Sequence, residues 1–250
     1  MSVVNDFTIQ VATVNGSGSQ TANLVLLRSI FQMGVPVSGK NLFPSNIAGL
    51  PTWFTIRANH RGYIARKKEI DLLVAMNPET AREDVLGLEP GRTVIYDEPL
   101  KLNALRDDVN FYPVPFDKIV AEVCPDAKLR KLVKNMIYDG VLAFLLSIDL
   151  AEMEKALGKQ LGKKPKAMAL NLGALKAGRD WAAANVPASD KYKVERLDKP
   201  ADAAKPADAS AKEPVKDQKY WSGRMRSLRE DLDHNRMFAT ALQSRLNALD

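Results

Sequence analysis

The 250-residue chain is poor in the side chains that most cofactor chemistry needs. It has one cysteine, Cys124, and two histidines, His60 and His234. One cysteine closes no internal disulfide and holds no iron–sulfur cluster. With two histidines far apart in sequence, neither a zinc site nor a His-dependent catalytic triad is expected. Long apolar runs are also missing: Val141–Leu146 is among the longest and is far too short to span a bilayer. The first residues, Met1–Asp6, carry no basic stretch followed by an apolar one, so no secretory leader is read and the expected location is the cytoplasm, away from membranes. If the chain serves redox catalysis, its redox centre sits on another chain.

What is present is enough for a core. The hydrophobic share is 46% and the charged share 26%, which suits a globular protein. The net charge is +6, divided evenly at +3 on each side of residue 190. Nucleic-acid binders concentrate such an excess on one face, so nucleic acid is not expected as a partner. The densest basic spot is Arg66-Lys67-Lys68.

Three regions follow from composition. Residues 1–185 read as an α/β domain with a mostly parallel, Rossmann-like sheet and helices on both faces. Strands are expected over Phe7–Val14, Trp53–Asn59, Ile70–Ala75, Thr93–Tyr96 and Phe111–Val114. Ile70–Ala75 is continuously apolar, the mark of a strand covered on both faces. Helices are expected over Ser19–Met33, Pro78–Leu86, Phe116–Glu122, Leu129–Leu146 and Asp149–Leu161. Leu24, Leu27, Ile30 and Phe31 are the expected buried face of the first, which Gly34 ends. Asp149 caps the last and Gly162 stops it.

Residues 186–217 break the pattern. KPADA at Lys199–Ala203 returns at Lys205–Ala209, and this Lys/Pro/Ala/Asp composition predicts a disordered, semi-extended linker. Residues 218–250 predict an amphipathic helix. Met225, Leu228, Leu232, Asn235, Ala239, Leu242, Leu246 and Leu249 alternate three and four apart, a heptad seam that suits a coiled-coil partner or the surface of a folded body.

The strongest local signal is a strand, then Asn15-Gly16-Ser17-Gly18-Ser19-Gln20, then a helix. The glycines permit a tight turn and close approach of an anionic group or a partner backbone to free N–H donors at a helix start. A ligand-free βα turn has the same pattern. A dinucleotide fingerprint is not complete: position 21 is Thr21 where a third glycine belongs, and no acid falls near positions 34–45. Gly34–Lys40 matches a phosphate-loop spacing, but Asn41 stands where Ser or Thr is needed, and a helix precedes rather than follows. Lys40 still offers a point charge. Lys40–Trp53 is a long loop with apolar anchors, the type that more often serves function. The candidate cofactor-facing residues are therefore Asn15, Gly16, Ser17, Gly18, Ser19, Gln20, Lys40, Asn41, Ser45 and Asn46. No catalytic residue and no metal ligand is assigned. The pairs Asp97-Glu98 and Asp107-Asp108 read as solvated loop ends, and Cys124 as a small buried hydrophobe.

The run from Asn5 to Thr80 resembles the gamma domain of 2-oxoacid:ferredoxin oxidoreductases, above all the N-terminal part of the fused alpha subunit of 2-oxoglutarate-type enzymes. A glycine-x-glycine-x-glutamine pattern after the first strand matches Gly16, Gly18 and Gln20. The long loop matches Lys40–Trp53, and a later Asn-containing helix matches Asn135–Leu146. The resemblance extends from about residue 5 to about residue 198.

This resemblance implies a complex that oxidatively decarboxylates a 2-oxoacid. Such complexes use thiamine diphosphate with magnesium, iron–sulfur clusters that pass electrons to ferredoxin, and coenzyme A as acyl acceptor. The gamma domain packs against the thiamine-binding and iron–sulfur subunits, which hold those groups, and helps cover coenzyme A in some members. This chain would then not turn over alone. In the fused subunit the stretch matching Val194–Asp198 leads to a thiamine pyrimidine domain with a YPITP-like motif, which this sequence lacks. Either that domain is a separate chain or this one is shortened or rearranged. Two other readings stand beside this one: an adaptor that uses Met225–Leu249 on a retired scaffold, and a stand-alone nucleotide- or coenzyme A-binding protein.

Overall fold

The computed structural model describes residues 2–42, 49–187 and 191–197. The segments expected as linker from residue 199 and as heptad helix lie outside them.

A nine-residue strand, β2 (Asp6–Val14), follows a short β1 (Val3–Val4) and sits in the middle of a six-stranded sheet. On one side β2 pairs antiparallel with β4 (Pro51–Asn59), which pairs antiparallel with the edge strand β3 (Val37–Leu42). On the other side three parallel strands follow: β5 (Leu72–Ala75), β6 (Thr93–Asp97) and β7 (Asn110–Val114). The order is β3-β4-β2-β5-β6-β7, so three of the five pairings are parallel.

Alternation along β5 distributes the core. Leu72 and Val74 enter the larger cluster, while Leu73 and Ala75 enter the smaller one, all nearly inaccessible to solvent. That is why the run is apolar without interruption. The larger cluster lies under α1 (Ser19–Gln32), α3 (Phe116–Val123), α5 (Asn135–Leu145), α6 (Leu150–Leu161) and α7 (Pro165–Asn185). The smaller one lies under α2 (Ala81–Leu86).

Two helices of the larger layer cross almost in contact. A Cβ on Gly140 of α5 would fall on the Leu175 carbonyl oxygen of α7, and one on Gly178 would fall on the Ile137 carbonyl oxygen. Only hydrogen fits at both positions.

Several expectations are corrected. The buried face of α1 is Ala22, Val25, Leu26, Ser29 and Ile30, while Phe31 is 66% exposed. Leu129–Leu146 is two helices, α4 (Ala127–Val133) and α5, interrupted at Lys134. The stretch after Gly34 forms β3, and Pro165–Asn185 is the longest described helix; neither is marked in the sequence pattern. Asp149 caps α6 through the Ala151 N–H at 3.0 Å, as its sequence indicates.

The compact body extends past residue 185. β8 (Tyr192–Lys193) pairs in parallel with β1, and Tyr192 and Val194 are buried. Asn5 Nδ2 donates to the Glu195 carbonyl at 2.8 Å, and the Leu197 N–H donates to the Met33 carbonyl at 2.9 Å. Gly34, at φ 86°, leaves the space in which Leu197 lies.

Candidate functional site

The chain reverses at the carboxyl end of β2 through Asn15–Gly18. Gly16 and Gly18 have φ of 82° and 85°, a region where an L side chain is strained. The turn is held from three directions. The Asn15 N–H donates to the Leu50 carbonyl at 2.8 Å, and the Asn15 carbonyl accepts from the Gly49 N–H at 3.0 Å. The Ser17 N–H donates to the Val14 carbonyl at 3.1 Å. From α5, Asn135 Nδ2 donates to the Ser17 carbonyl at 2.8 Å. Leu132 of α4 stands over Gly18, where an added Cβ would lie 2.9 Å from its Cδ2.

Gly18 opens α1 in the left-handed conformation, with no side chain capping the helix. The first N–H groups of α1 therefore carry the positive end of its dipole with no capping side chain at Gly18. Behind them, the Thr13 hydroxyl lies 3.0 Å from Ser19 Oγ, and the Tyr138 hydroxyl donates to Asn23 Oδ1 at 2.9 Å. Asn41 Nδ2 reaches Gln20 Oε1 at 3.3 Å from the edge strand.

These groups surround a cleft of about 380 Å³. Of the sequence candidates, Asn15, Gly16, Gly18, Ser19, Gln20 and Asn41 line it. Thr13, Asn23, Thr52, Phe54 and Leu132 are the other described residues that line it. No charged side chain is among them. Lys40 is exposed and precedes Asn41 on β3, so it points to the opposite face of the sheet. Ser45 and Asn46 lie outside the described residues.

Ser17 turns into a second crevice, of about 340 Å³, between β2 and α4. Arg130, Lys131, Lys134 and Asn135 line it with Asp117. Ser17 Oγ is buried and has no hydrogen-bond partner among the described residues. Lys134 Nζ lies 3.0 Å from both Asp97 Oδ2 and Asp117 Oδ1. Burial pulls the Lys134 pKa down, but the two carboxylates outweigh it and the net shift is upward. At Asp97 burial wins over the Lys134 contact and the carboxyl is pushed up.

The donor set decides which groups fit. Carboxamides, hydroxyls and helix N–H groups suit an oxygen-bearing organic ligand or a single anionic oxygen. Among the described residues the cleft has no carboxylate for a magnesium–diphosphate pair, and no three His, Cys, Asp or Glu converge on a metal position. Cys124 is buried.

The model of the pyruvate ferredoxin/flavodoxin oxidoreductase family matches residues 8–181, more than half of the sequence. The chain belongs to this family. A curated relative, subunit alpha of a 2-oxoacid:ferredoxin oxidoreductase from Aeropyrum pernix, is 21% identical over 159 residues, which are 63% of this chain and 25% of the relative. A solved 2-oxoglutarate:ferredoxin oxidoreductase from Magnetococcus marinus, with 2-oxoglutarate, coenzyme A and succinyl-CoA bound, superimposes at a TM-score of 0.70. It is 25% identical, and the match covers 78% of this chain and 34% of that one. The gamma subunit of a keto/oxoacid ferredoxin oxidoreductase from Geobacter sulfurreducens has the same fold, with a TM-score of 0.57 and 18% identity over 71% of this chain and 99% of its own. This family member thus spans about a quarter of its curated relative and about a third of the 2-oxoglutarate enzyme chain. No helix among the described residues is long and apolar enough to cross a membrane.

Proposed function

We propose that the chain is the gamma-type component of a cytoplasmic 2-oxoacid:ferredoxin oxidoreductase, with 2-oxoglutarate favoured over pyruvate as substrate. The observation that carries this reading is the uncapped glycine turn. It opens on a neutral, amide-lined cleft inside a fold found as a gamma subunit in one similar protein and as about a third of a longer chain in another. Thiamine diphosphate, magnesium and iron–sulfur clusters would belong to partner subunits, since the cleft offers none of their ligands. When bound there, the thiamine group supplies the carbanion-stabilising chemistry of decarboxylation.

This chain's own residues would do other work. The Asn15, Gln20, Asn23 and Asn41 side chains can orient an amide-bearing arm such as that of coenzyme A. The first N–H groups of α1 can hold a single anionic oxygen. Leu132 and Phe54 exclude water from one wall of the cleft. Asn135 keeps the turn in register by its bond to Ser17. The preference for 2-oxoglutarate rests on the 25% identity and 0.70 TM-score with that enzyme.

The test is capture of the full-length tagged chain from its source cells, followed by mass identification of bound chains and assay of 2-oxoacid-dependent dye reduction. The expected result is a thiamine- and iron-containing complex that oxidises 2-oxoglutarate faster than pyruvate, while the isolated chain is inactive. Turnover by the isolated chain, or capture of no such subunits, overturns the reading.

A further inference from the structure

At the opposite end of β2 from the glycine turn, the chain between β4 and β5 makes a different kind of surface. Residues 60–69 are all exposed except Ile64. Arg61, Arg66, Lys67 and Lys68 stand there against a single acid, Glu69. None of the four cations makes a side-chain hydrogen bond or ion pair among the described residues, and Lys67 acts on Asp6 only through longer-range attraction. By contrast, Arg57, Arg92, Arg106 and Arg196 each bond a carboxylate, and Arg130 bonds the Cys124 and Pro125 carbonyls. Tyr63 is 71% exposed, the most open aromatic ring among the large exposed hydrophobics.

The backbone of Arg61–Ile64 is held in place. Asn59 is 4% exposed, and its Oδ1 accepts from the Arg61 and Tyr63 N–H groups, both at 3.0 Å. Ser38 Oγ, on the edge strand, donates to the Ile64 carbonyl at 2.5 Å. The Arg61–Ile64 part of this surface, Tyr63 included, is therefore fixed by the buried Asn59 and the half-buried Ser38. Pre-ordering of this kind lowers the entropy lost on binding.

We infer that residues 61–68 form a docking surface for an acidic face of another protein chain, with Tyr63 as its aromatic anchor and Arg61, Arg66, Lys67 and Lys68 as its charge complement. Tyr and Arg are the side chains that dominate binding energy at protein interfaces. Exposed cations without a partner among the described residues give long-range attraction to negative charge and set orientation. A nucleic-acid strand fits less well, because it asks for a continuous basic track with stacked aromatics. Here a single exposed ring accompanies the cations, Glu69 follows them in sequence, and Asp6 lies within electrostatic reach of Lys67. The surface lies about 25 Å from the glycine turn, the length of a nine-residue strand. The inference does not depend on the cleft's ligand.

The test places the photo-crosslinking residue p-benzoylphenylalanine at position 63 of the full-length chain in its source cells and maps the crosslinked peptide by mass. The expected product joins Tyr63's position to an Asp/Glu-rich segment of another protein. Its yield should fall at least about tenfold in the R66E/K67E/K68E variant and when extracts are brought from about 0.05 M to about 0.3 M salt. K159E/K163E/K166E, which removes the same charge from another face, should leave the yield unchanged. A nucleotide adduct, a partner segment without acidic excess, equal loss in both variants, or no crosslink while the chain melts normally overturns the inference.

Discussion

Two regions of α5 show opposite ways of using an absent side chain. At its middle, Gly140 meets α7 with no room for a methyl group, and the contact is dry backbone against backbone. At its start, Asn135 reaches into the β2–α1 turn, where Gly16 and Gly18 lack side chains for conformational reasons and leave a polar cleft open. The first region spends its glycines on stability, the second on access. Substitutions should therefore separate: those at the crossing unfold the body, while those at the turn leave it folded with an altered cleft.

The largest effect is expected from Gly178→Val. The new side chain overlaps the Ile137 carbonyl, and helix separation should cost about 3 kcal/mol or more, read as loss of a cooperative melt or a fall in urea midpoint. A normal melt would refute the close crossing.

Asp139, one residue before Gly140, comes next. It is fully buried with both carboxylate oxygens unpartnered among the described residues, and burial pushes its pKa well above the usual carboxylate range. The unfolded chain ionises near pH ~3.9. The folded form thus binds the proton more tightly, so the stability contribution is full below that pH and is lost as pH rises through the folded value. Asp139→Asn should flatten this slope and gain about 1–3 kcal/mol near neutral pH relative to the parent. Melting at several pH values checks both sign and slope; a parent whose stability is indifferent to pH in this comparison refutes it.

Gly18→Ala should cost about 1–2 kcal/mol for the left-handed conformation, and it also presses on Leu132. Its distinguishing mark is weakened ligand or subunit binding in a protein that still melts cooperatively. Asn135→Ala is the mildest, at about 1 kcal/mol, because it removes one neutral hydrogen bond to the Ser17 carbonyl. If both turn variants lower stability as much as Gly178→Val, the division between the two regions fails.

The same division governs what the sequence discloses. The β2–turn–α1 unit is legible because glycine spacing, β-branched residues and the following helix are all local. So is β5, whose unbroken apolar run follows from burial on both faces. The edge strand β3 escapes because VSGKNL is largely exposed and carries no apolar alternation. α7 escapes because, Leu175 apart, its buried residues Asn171, Ala174, Gly178 and Ala182 are polar or small and draw no apolar stripe. The break at Lys134 has no local mark, since lysine is a good helix former. What accompanies it there is non-local: Lys134 reaches Asp97 and Asp117, and Asn135 reaches Ser17. For the same reason half of the cleft was hidden. Asn15, Gly18 and Gln20 lie on the motif, whereas Thr52, Phe54 and Leu132 are brought to it by pairing and packing.

The parallel ladder of Val3–Val4 with Tyr192–Lys193 sets the two extremities of the body side by side. A fold whose first and last strands are neighbours can be spliced into a longer polypeptide, or released from one, with little disturbance to what lies between. Such modularity makes intelligible how one body of this kind appears both as a nearly whole subunit and as a fraction of a much longer chain.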